Sequence, residues 1–368
     1  MPDHPAHPIR ARDLGIPFEG EPGTLNAITD VSGVQVGHET LISGDGALHV
    51  GEGPVRTGVT VILPRGRTPD PVFAGWFALN GNGEMTGTTW VEESGFLEGI
   101  IGLTNTHSVG VVRDALVRWQ HEHHFYDPVN PGIYWIMPVV AETYDGFLND
   151  INGQHVKPEH VYAALDRAQG GAVDEGCVGG GTGMICHEFK GGIGTASRRV
   201  LEGRFTVGAL VQTNYGERAE MMMYGVPLGA HLLDDHLPQP GPGSIMMVIA
   251  TDAPLDARQL TRCARRAAIA LGRTGTVSHD GSGEFAIAFS TANRWSHDPA
   301  DPVEAVTRIH DGRAINEMFL GVVEALEEAI WNAVVAAETM TGRDGNTLYA
   351  LPHEAIIQWF DYYRRRTP

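Results

Sequence analysis

The sequence is short of charge, and above all of positive charge. Only 19% of its 368 residues are charged, and 26 Lys and Arg stand against 45 Asp and Glu, a formal net charge of −19. Binding nucleic acid through its phosphates takes clustered basic side chains. The one dense basic run, Arg364-Arg365-Arg366, lies at the C-terminal end, where it reads as a solvated tail or as cations closing a helix. Nucleic acid is therefore not an expected partner. Cysteine is scarce too. Cys177, Cys186 and Cys263 are an odd set with no C-x-x-C pair, which gives neither a disulfide framework nor a zinc knuckle. Reduced thiols in the cytoplasm are the expected state. No run of about 18 consecutive apolar residues occurs, so neither a transmembrane helix nor a membrane partner is expected. The first residues, MPDHPAHPIRARDLGIP, hold no apolar stretch of signal-peptide type, which again points to the cytoplasm.

Several familiar catalytic patterns are missing. The nearest approach to G-x-S-x-G is Asp280-Gly281-Ser282-Gly283-Glu284, with Asp at the first glycine position, so an α/β-hydrolase elbow is unsupported. Gly179-Gly180-Gly181-Thr182-Gly183 is not followed by Lys-Ser/Thr and so is not a P-loop. It reads as a place where two backbones touch. His121-Glu122-His123-His124 has Phe125 where a zincin helix needs its second histidine. It reads as the solvated end of a helix. No metal and no organic cofactor are expected.

Glycine and apolar residues are what the chain does have. Its 47 glycines are about twice the usual share, without a G-X-Y period. At 42% hydrophobic it can bury a core. Strand-like runs occur at 58–65, 99–105, 133–143, 205–214, 244–253 and 284–293, several apolar on both faces, as in sheets covered on both sides. Between them, Leu260, Cys263, Ala264, Ala267, Ala268 and Leu271 form one helical stripe that Gly272 is expected to stop. Further helices are predicted over Ile315 to Met340, around Val109, Val112, Leu116 and Trp119, and after Pro158. No repeat and no long linker divides the chain. The class is mixed α and β.

The sharpest break is Leu237-Pro238-Gln239-Pro240-Gly241-Pro242-Gly243, followed at once by an apolar strand from Ser244. On composition this is an exposed loop. The junction has a second reading. If the chain is cut between Gly243 and Ser244, Ser244 carries a hydroxyl and a free α-amine. An α-amine titrates at about 7.7–8.0, so it can act as a base near neutral pH. A hydroxyl paired with its own N-terminal amine is a recognised nucleophile and base.

Gly243-Ser244-Ile-Met-Met-Val-Ile-Ala-Thr-Asp-Ala-Pro-Leu resembles the start of the small subunit in the DmpA/BapA family of self-processing serine aminopeptidases. Further similar stretches are Asn105 to Gly110, Glu142-Thr143-Tyr144-Asp145-Gly146, Gly179 to Gly183, Thr213-Asn214-Tyr215-Gly216 and Gly281-Ser282-Gly283-Glu284. The resemblance runs in order from about residue 20 to the C-terminus. It implies a single α+β domain, a four-layer αββα sandwich like the N-terminal-nucleophile hydrolases but connected differently. It also implies self-cleavage between Gly243 and Ser244 into chains 1–243 and 244–368, and a homotetramer.

Roles carry over by position. Ser244 matches the nucleophile, and Ser282 and Glu284 match its supporting pair. Asn214 would donate to the oxyanion, and Tyr144 would place a hydroxyl near the tetrahedral centre. Glu142 resembles the group that holds the substrate's ammonium. Trp135 reads as an apolar wall nearby or as a core residue. The expected function is release of N-terminal residues from small peptides, amides or esters with a free amino group. Two rivals stand beside it: an acyltransferase of the ornithine-acetyltransferase type, and an unprocessed binding protein without catalysis.

Overall fold

In the computed structural model of the chain, residues 9–125, 135–233, 243–295 and 305–365 are described. Two sheets form its centre. One has four strands in the order β1 (Gln35–Ser43), β2 (Val55–Arg67), β5 (Ile101–Asn105) and β6 (Val139–Thr143). The other has six, in the order β4 (Phe96–Leu97), β3 (Val72–Gly81), β12 (Gly283–Ser290), β11 (Ser244–Thr251), β10 (Phe205–Asn214) and β9 (Ile193–Val200). Short hairpins β7–β8 (Ile185–Cys186, Phe189–Lys190) and β13–β14 (Met340–Thr341, Thr347–Leu348) lie outside them.

Alternation along each strand builds the layers. Met246, Val248 and Ala250 of β11 and Phe285, Ile287 and Phe289 of β12 meet Ile62, Leu103 and Ala141 between the sheets. The intervening Ile245, Met247, Ile249, Ala286 and Ala288 pack on helices α4 (Ala257–Ala264), α5 (Ala267–Thr274), α6 (Arg313–Val335) and α7 (His353–Arg364). On the far side, Val59, Val61 and Val140 pack on α2 (Val109–Glu122) and α3 (Pro158–Arg167). A short α1 (Thr88–Ser94) links β3 to β4. The result is the expected αββα sandwich. β11 and β12 are its parallel centre, apolar on both faces because both are covered.

The strand at 205–214, helix α2 and the helix start at Pro158 agree with the sequence reading, and the strands read over 244–253 and 284–293 are found but end at Thr251 and Ser290. The glycine run is also as read: a Cβ on Gly181 would sit 2.4 Å from Ile193 N, and one on Gly183 2.3 Å from Arg56 O. His121 to His124 close α2, where the His123 ring stacks on Trp119. Other boundaries differ. Of the strand read over 133–143, positions 133 and 134 lie outside the described residues, 135–138 are not strand, and β6 begins at Val139. Its pairing with β5 starts at Ile101↔Val139, and Pro138 has no N–H to extend the ladder. The alanine stripe is two helices, because Arg266 N bonds Cys263 O in a tightened i−3 turn. The second of these runs past Gly272 and stops at Gly275, whose φ is 89°. The last long helix ends at Val335, since Met340 pairs with Leu348 in β13–β14. Of the proline-rich run, only Gly243 lies within the described residues.

Candidate active site

Ser244 is the first residue of β11 and only 4% exposed. It shares its face with Met246 and Val248, so its side chain points between the sheets. Asn214, the last residue of β10, is its register partner. Leu210 and Gln212 place Asn214 on that inner face too. Gln212 Nε2 donates to Thr143 Oγ1 at 2.8 Å and to Thr104 O at 2.9 Å, tying the two sheets together at this end. Ile185 N donates to Asn214 Oδ1 at 2.9 Å. That bond holds the carbonyl end of the amide on β7 and turns the NH2 end away from it.

The junction carbonyl has two donors. Ser244 Oγ donates to Gly243 O at 2.6 Å, and Gly283 N donates to the same oxygen at 3.2 Å. The parallel register Ser244↔Gly283 puts that N–H there. Gly243 is crowded by backbone: a Cβ on it would lie 3.2 Å from Asn214 O and 3.3 Å from Tyr215 Cα.

Ser282 and Glu284 approach from the other face. By parity they lie with Ala286 and Ala288 on the helix side of β12. Ser282 still reaches the junction, since a Cβ on Gly243 would be 3.5 Å from its Oγ. Glu284 is 1% exposed, and neither carboxylate oxygen makes a well-formed hydrogen bond among the described residues. Burial raises its pKa, while the nearby Ser282 hydroxyl, His279 and Ser278 favour its charged form.

A cavity of about 210 Å³ opens beside the junction, lined by Asn214, Tyr215, Glu217, Gly243, His279 and Ser282 among others. His279 is the residue sequence reasoning missed. Its Nε2 pairs with Glu220 Oε2 at 3.0 Å, and its carbonyl accepts from Ser282 N and Asn80 Nδ2, both at 2.8 Å. The bond to Glu220 is the main cause of its raised pKa. The only local signal was its place three residues before Ser282, in a turn rich in Gly, Ser and Asp.

Glu142 and Tyr144 flank Thr143, so the Gln212 bond places them at the same end of the sandwich as Asn214. Glu142 is buried. Its Oε1 accepts from Glu84 N at 3.1 Å, and its Oε2 accepts from the Thr106 hydroxyl. Desolvation outweighs these bonds and raises its pKa. A Cβ on Gly83 would lie 3.0 Å from Glu142 Oε1 and 2.9 Å from Phe285, which links Glu142 to the β12 side of the site. Tyr144 follows β6 with its ring over Gly146, where a Cβ would come within 2.4 Å of the phenol oxygen. Trp135 is 55% exposed and meets Trp90 edge-on at 5.6 Å. It is therefore not a core residue; it lies four positions before β6.

The description "Peptidase family S58" matches residues 26–348. The chain belongs to peptidase family S58. The beta-peptidyl aminopeptidases among its relatives match along nearly the whole length. It is 50% identical over 374 residues to "Beta-peptidyl aminopeptidase BapA" of Sphingosinicella microcystinivorans, covering 97% of this chain and 93% of that one. Among solved structures it is similar to the L-aminopeptidase D-Ala-esterase/amidase of Ochrobactrum anthropi. That match has TM-score 0.91 and 47% identity, covering 97% of this chain and 99% of that one. A Burkholderia sp. beta-aminopeptidase gives TM-score 0.87 and 47% identity, with coverage of 96% and 99%. This S58 chain is thus a hydrolase of the aminopeptidase class, with the fold of the variant N-terminal-nucleophile hydrolases. Among the described residues no helix is long and apolar enough to cross a membrane.

Proposed function

We propose that Ser244 is the nucleophile of a self-processing aminopeptidase. The observation that carries this reading is the junction itself: a buried hydroxyl 2.6 Å from the carbonyl oxygen before it, with Gly283 N–H on that same oxygen. In maturation, Ser244 Oγ attacks the Gly243 carbonyl carbon and its proton passes to the Ser244 nitrogen. The C–N bond breaks, and water hydrolyses the ester. Chains 1–243 and 244–368 result, the second beginning with a free amine. In turnover the same hydroxyl attacks the substrate carbonyl. The amine takes the hydroxyl proton and gives it to the leaving amine, and water then releases the acyl group. Asn214 donates to the oxyanion, Tyr144 supports it, Ser282 and Glu284 orient the nucleophile's end, and Trp135 flanks the entrance. Three free thiols fit cytoplasmic residence. The homotetramer implied by the resemblance belongs to the same proposal.

In the maturation intermediate Gly243 is the acyl group esterified to Ser244 Oγ, so the acyl residue of turnover takes the place of Gly243. Crowding by Asn214 O and Tyr215 Cα at that α-carbon favours residues with an unsubstituted α-carbon. A β-amino residue has one, because its side chain and amine sit one carbon further out. The β-aminopeptidase relatives support the same preference.

Glu142 holds the substrate's ammonium in this reading. A charge-assisted hydrogen bond contributes about 1.5–3 kcal/mol, so Glu142→Gln should raise KM about 10- to 100-fold for β-alanyl amides. Self-cleavage should persist in the variant, and N-acetyl-β-alanyl amides should be poor substrates of the wild type. Equal turnover of blocked and free amides by the wild type would refute the aminopeptidase reading.

The base sets the pH profile. The amine must be neutral to accept a proton, so the acidic limb of kcat/KM should report one group titrating at about pH 7–9. Glu284 favours the protonated amine, so Glu284→Gln should move the limb to lower pH. His279→Gln should keep the limb while lowering its height. A limb centred near pH 4–5, or one abolished by His279→Gln, would assign the base to a carboxylate or an imidazole instead.

A further inference from the structure

Lys190 is wholly buried, and among the described residues no carboxylate pairs with it. Lysine is seldom buried without such a partner. Its Nζ donates to backbone oxygens instead: Gly191 O at 2.7 Å, Met184 O at 3.0 Å and Gly181 O at 3.4 Å. Three acceptors suit the three N–H bonds of an ammonium. Burial lowers the lysine's pKa, while Cys177, Asp145 and Cys186 nearby favour its charged form. The mechanism derived above makes no use of this charge.

Its place in the fold leads to the active site. Lys190 stands opposite Ile185 in the β7–β8 hairpin. His187 and Glu188 close that hairpin with φ of 47° and 60°, the two left-handed positions of a type I′ turn. The chain after the hairpin is fixed on β10, since Gly192 N donates to Thr213 Oγ1 at 3.1 Å and Thr213 N to Gly192 O at 2.9 Å. Met184 O and Ile185 N–H are the two ends of one trans peptide. Lys190 Nζ sits at the oxygen end, and Asn214 Oδ1 accepts from the N–H end at 2.9 Å. A cation on the carbonyl draws electron density through the peptide and makes its N–H a stronger donor. That stronger bond polarises the Asn214 amide in turn, so its NH2 end donates more strongly. Gly191 N also donates to Met184 O, at 2.9 Å, so the peptide has an anchor besides the lysine. Ile185 and Asn214 line the cavity at Gly243, and Lys190 does not.

We infer that Lys190 strengthens the oxyanion donor: its buried charge, acting through the Met184–Ile185 peptide, polarises the Asn214 amide toward the negative charge that develops on the substrate oxygen. The inference rests on the oxyanion role proposed for Asn214 above. Lys190 acts through other groups and is a positioning residue, so the test must separate this role from support of the fold. Lys190→Gln keeps N–H donors for the carbonyls and removes the charge. Kinetics are measured on matured protein with a β-alanyl amide, beside a melting curve. Removing an oxyanion donor costs about 10²–10³ in kcat and weakening one costs less, so kcat should fall about 5- to 30-fold. KM should stay within about twofold of wild type, because the interaction strengthens only in the transition state. Lys190→Met should show the same split with a larger loss. In an Asn214→Ala background, where the amide is gone, adding Lys190→Gln should change kcat by less than about twofold. Wild-type kcat in both single variants would overturn the inference while leaving Asn214 its role. The full Lys190→Gln loss recurring in the Asn214→Ala background would overturn it too. So would both single variants staying uncut or unfolded, which marks Lys190 as structural. Wild-type kcat in Asn214→Ala would defeat the oxyanion reading, and the inference with it.

Discussion

Ser244→Ala should run as one chain of 39.7 kDa on a denaturing gel and release no product above background. The wild type should give two bands near 26 and 13.5 kDa, from 243 and 125 residues at the same mean residue mass. One atom is lost and two reactions go with it. Without Oγ there is no attack on the Gly243 carbonyl, so the peptide nitrogen of residue 244 is never freed as a base. Without Oγ there is also no acyl-enzyme. Losing a serine nucleophile costs on the order of 10⁶ in kcat in other hydrolases, and here the base disappears as well. The fold should survive, because β11 keeps its pairings with β10 and β12 and a methyl group fits where a buried hydroxymethyl stood. A matched circular-dichroism spectrum and melting curve would check that. Two bands in the variant, or residual turnover within a hundredfold of wild type, would place the nucleophile elsewhere.

Asn214→Asp should lower kcat about 10²- to 10³-fold with little change in KM, the usual cost of removing one oxyanion donor. Aspartate is the informative replacement. It keeps an oxygen to accept from Ile185 N, a 2.9 Å bond in the native chain, so the local scaffold is retained. What it removes is the N–H at the other end of the amide, and it puts negative charge where negative charge must develop. Asn214→Ala loses both functions, and its larger effect on melting would expose the structural share. If the Asn214→Asp variant turned over within threefold of wild type, Asn214 would be a strand-end residue and nothing more.

How much of this could be read in the sequence depends on the range of the signal. The central strands were legible because they are covered on both faces. Between Ser244 and Thr251, Ile-Met-Met-Val-Ile-Ala is apolar on both faces of the pleat, and its start is marked by the glycine-ended loop before it. Ser244 as the candidate nucleophile came from the resemblance, since on composition the junction reads as an exposed loop. Ser282 and Glu284 were found as a pair two apart, yet which face they occupy was not. That depends on the register of β12 against β11, where Ser244 faces Gly283 and so falls on the opposite parity. His279 escaped altogether, since its role comes from Glu220 and Asn80, 59 and 199 residues away in chain position. Trp135 shows the reverse error. A tryptophan beside an apolar run suggested burial as readily as a wall, whereas Pro138 ends the strand and leaves the indole in solvent.

The central claim is that the chain is cut by its own Ser244, which thereby becomes an N-terminal residue. Intact-mass measurement with N-terminal sequencing of purified wild-type protein tests it directly. The account predicts a fragment of about 13.5 kDa whose sequence opens Ser-Ile-Met-Met-Val-Ile, beside a larger fragment ending at Gly243. A single species at 39.7 kDa that turns over peptide amides, or a fragment beginning at any residue other than Ser244, would contradict it.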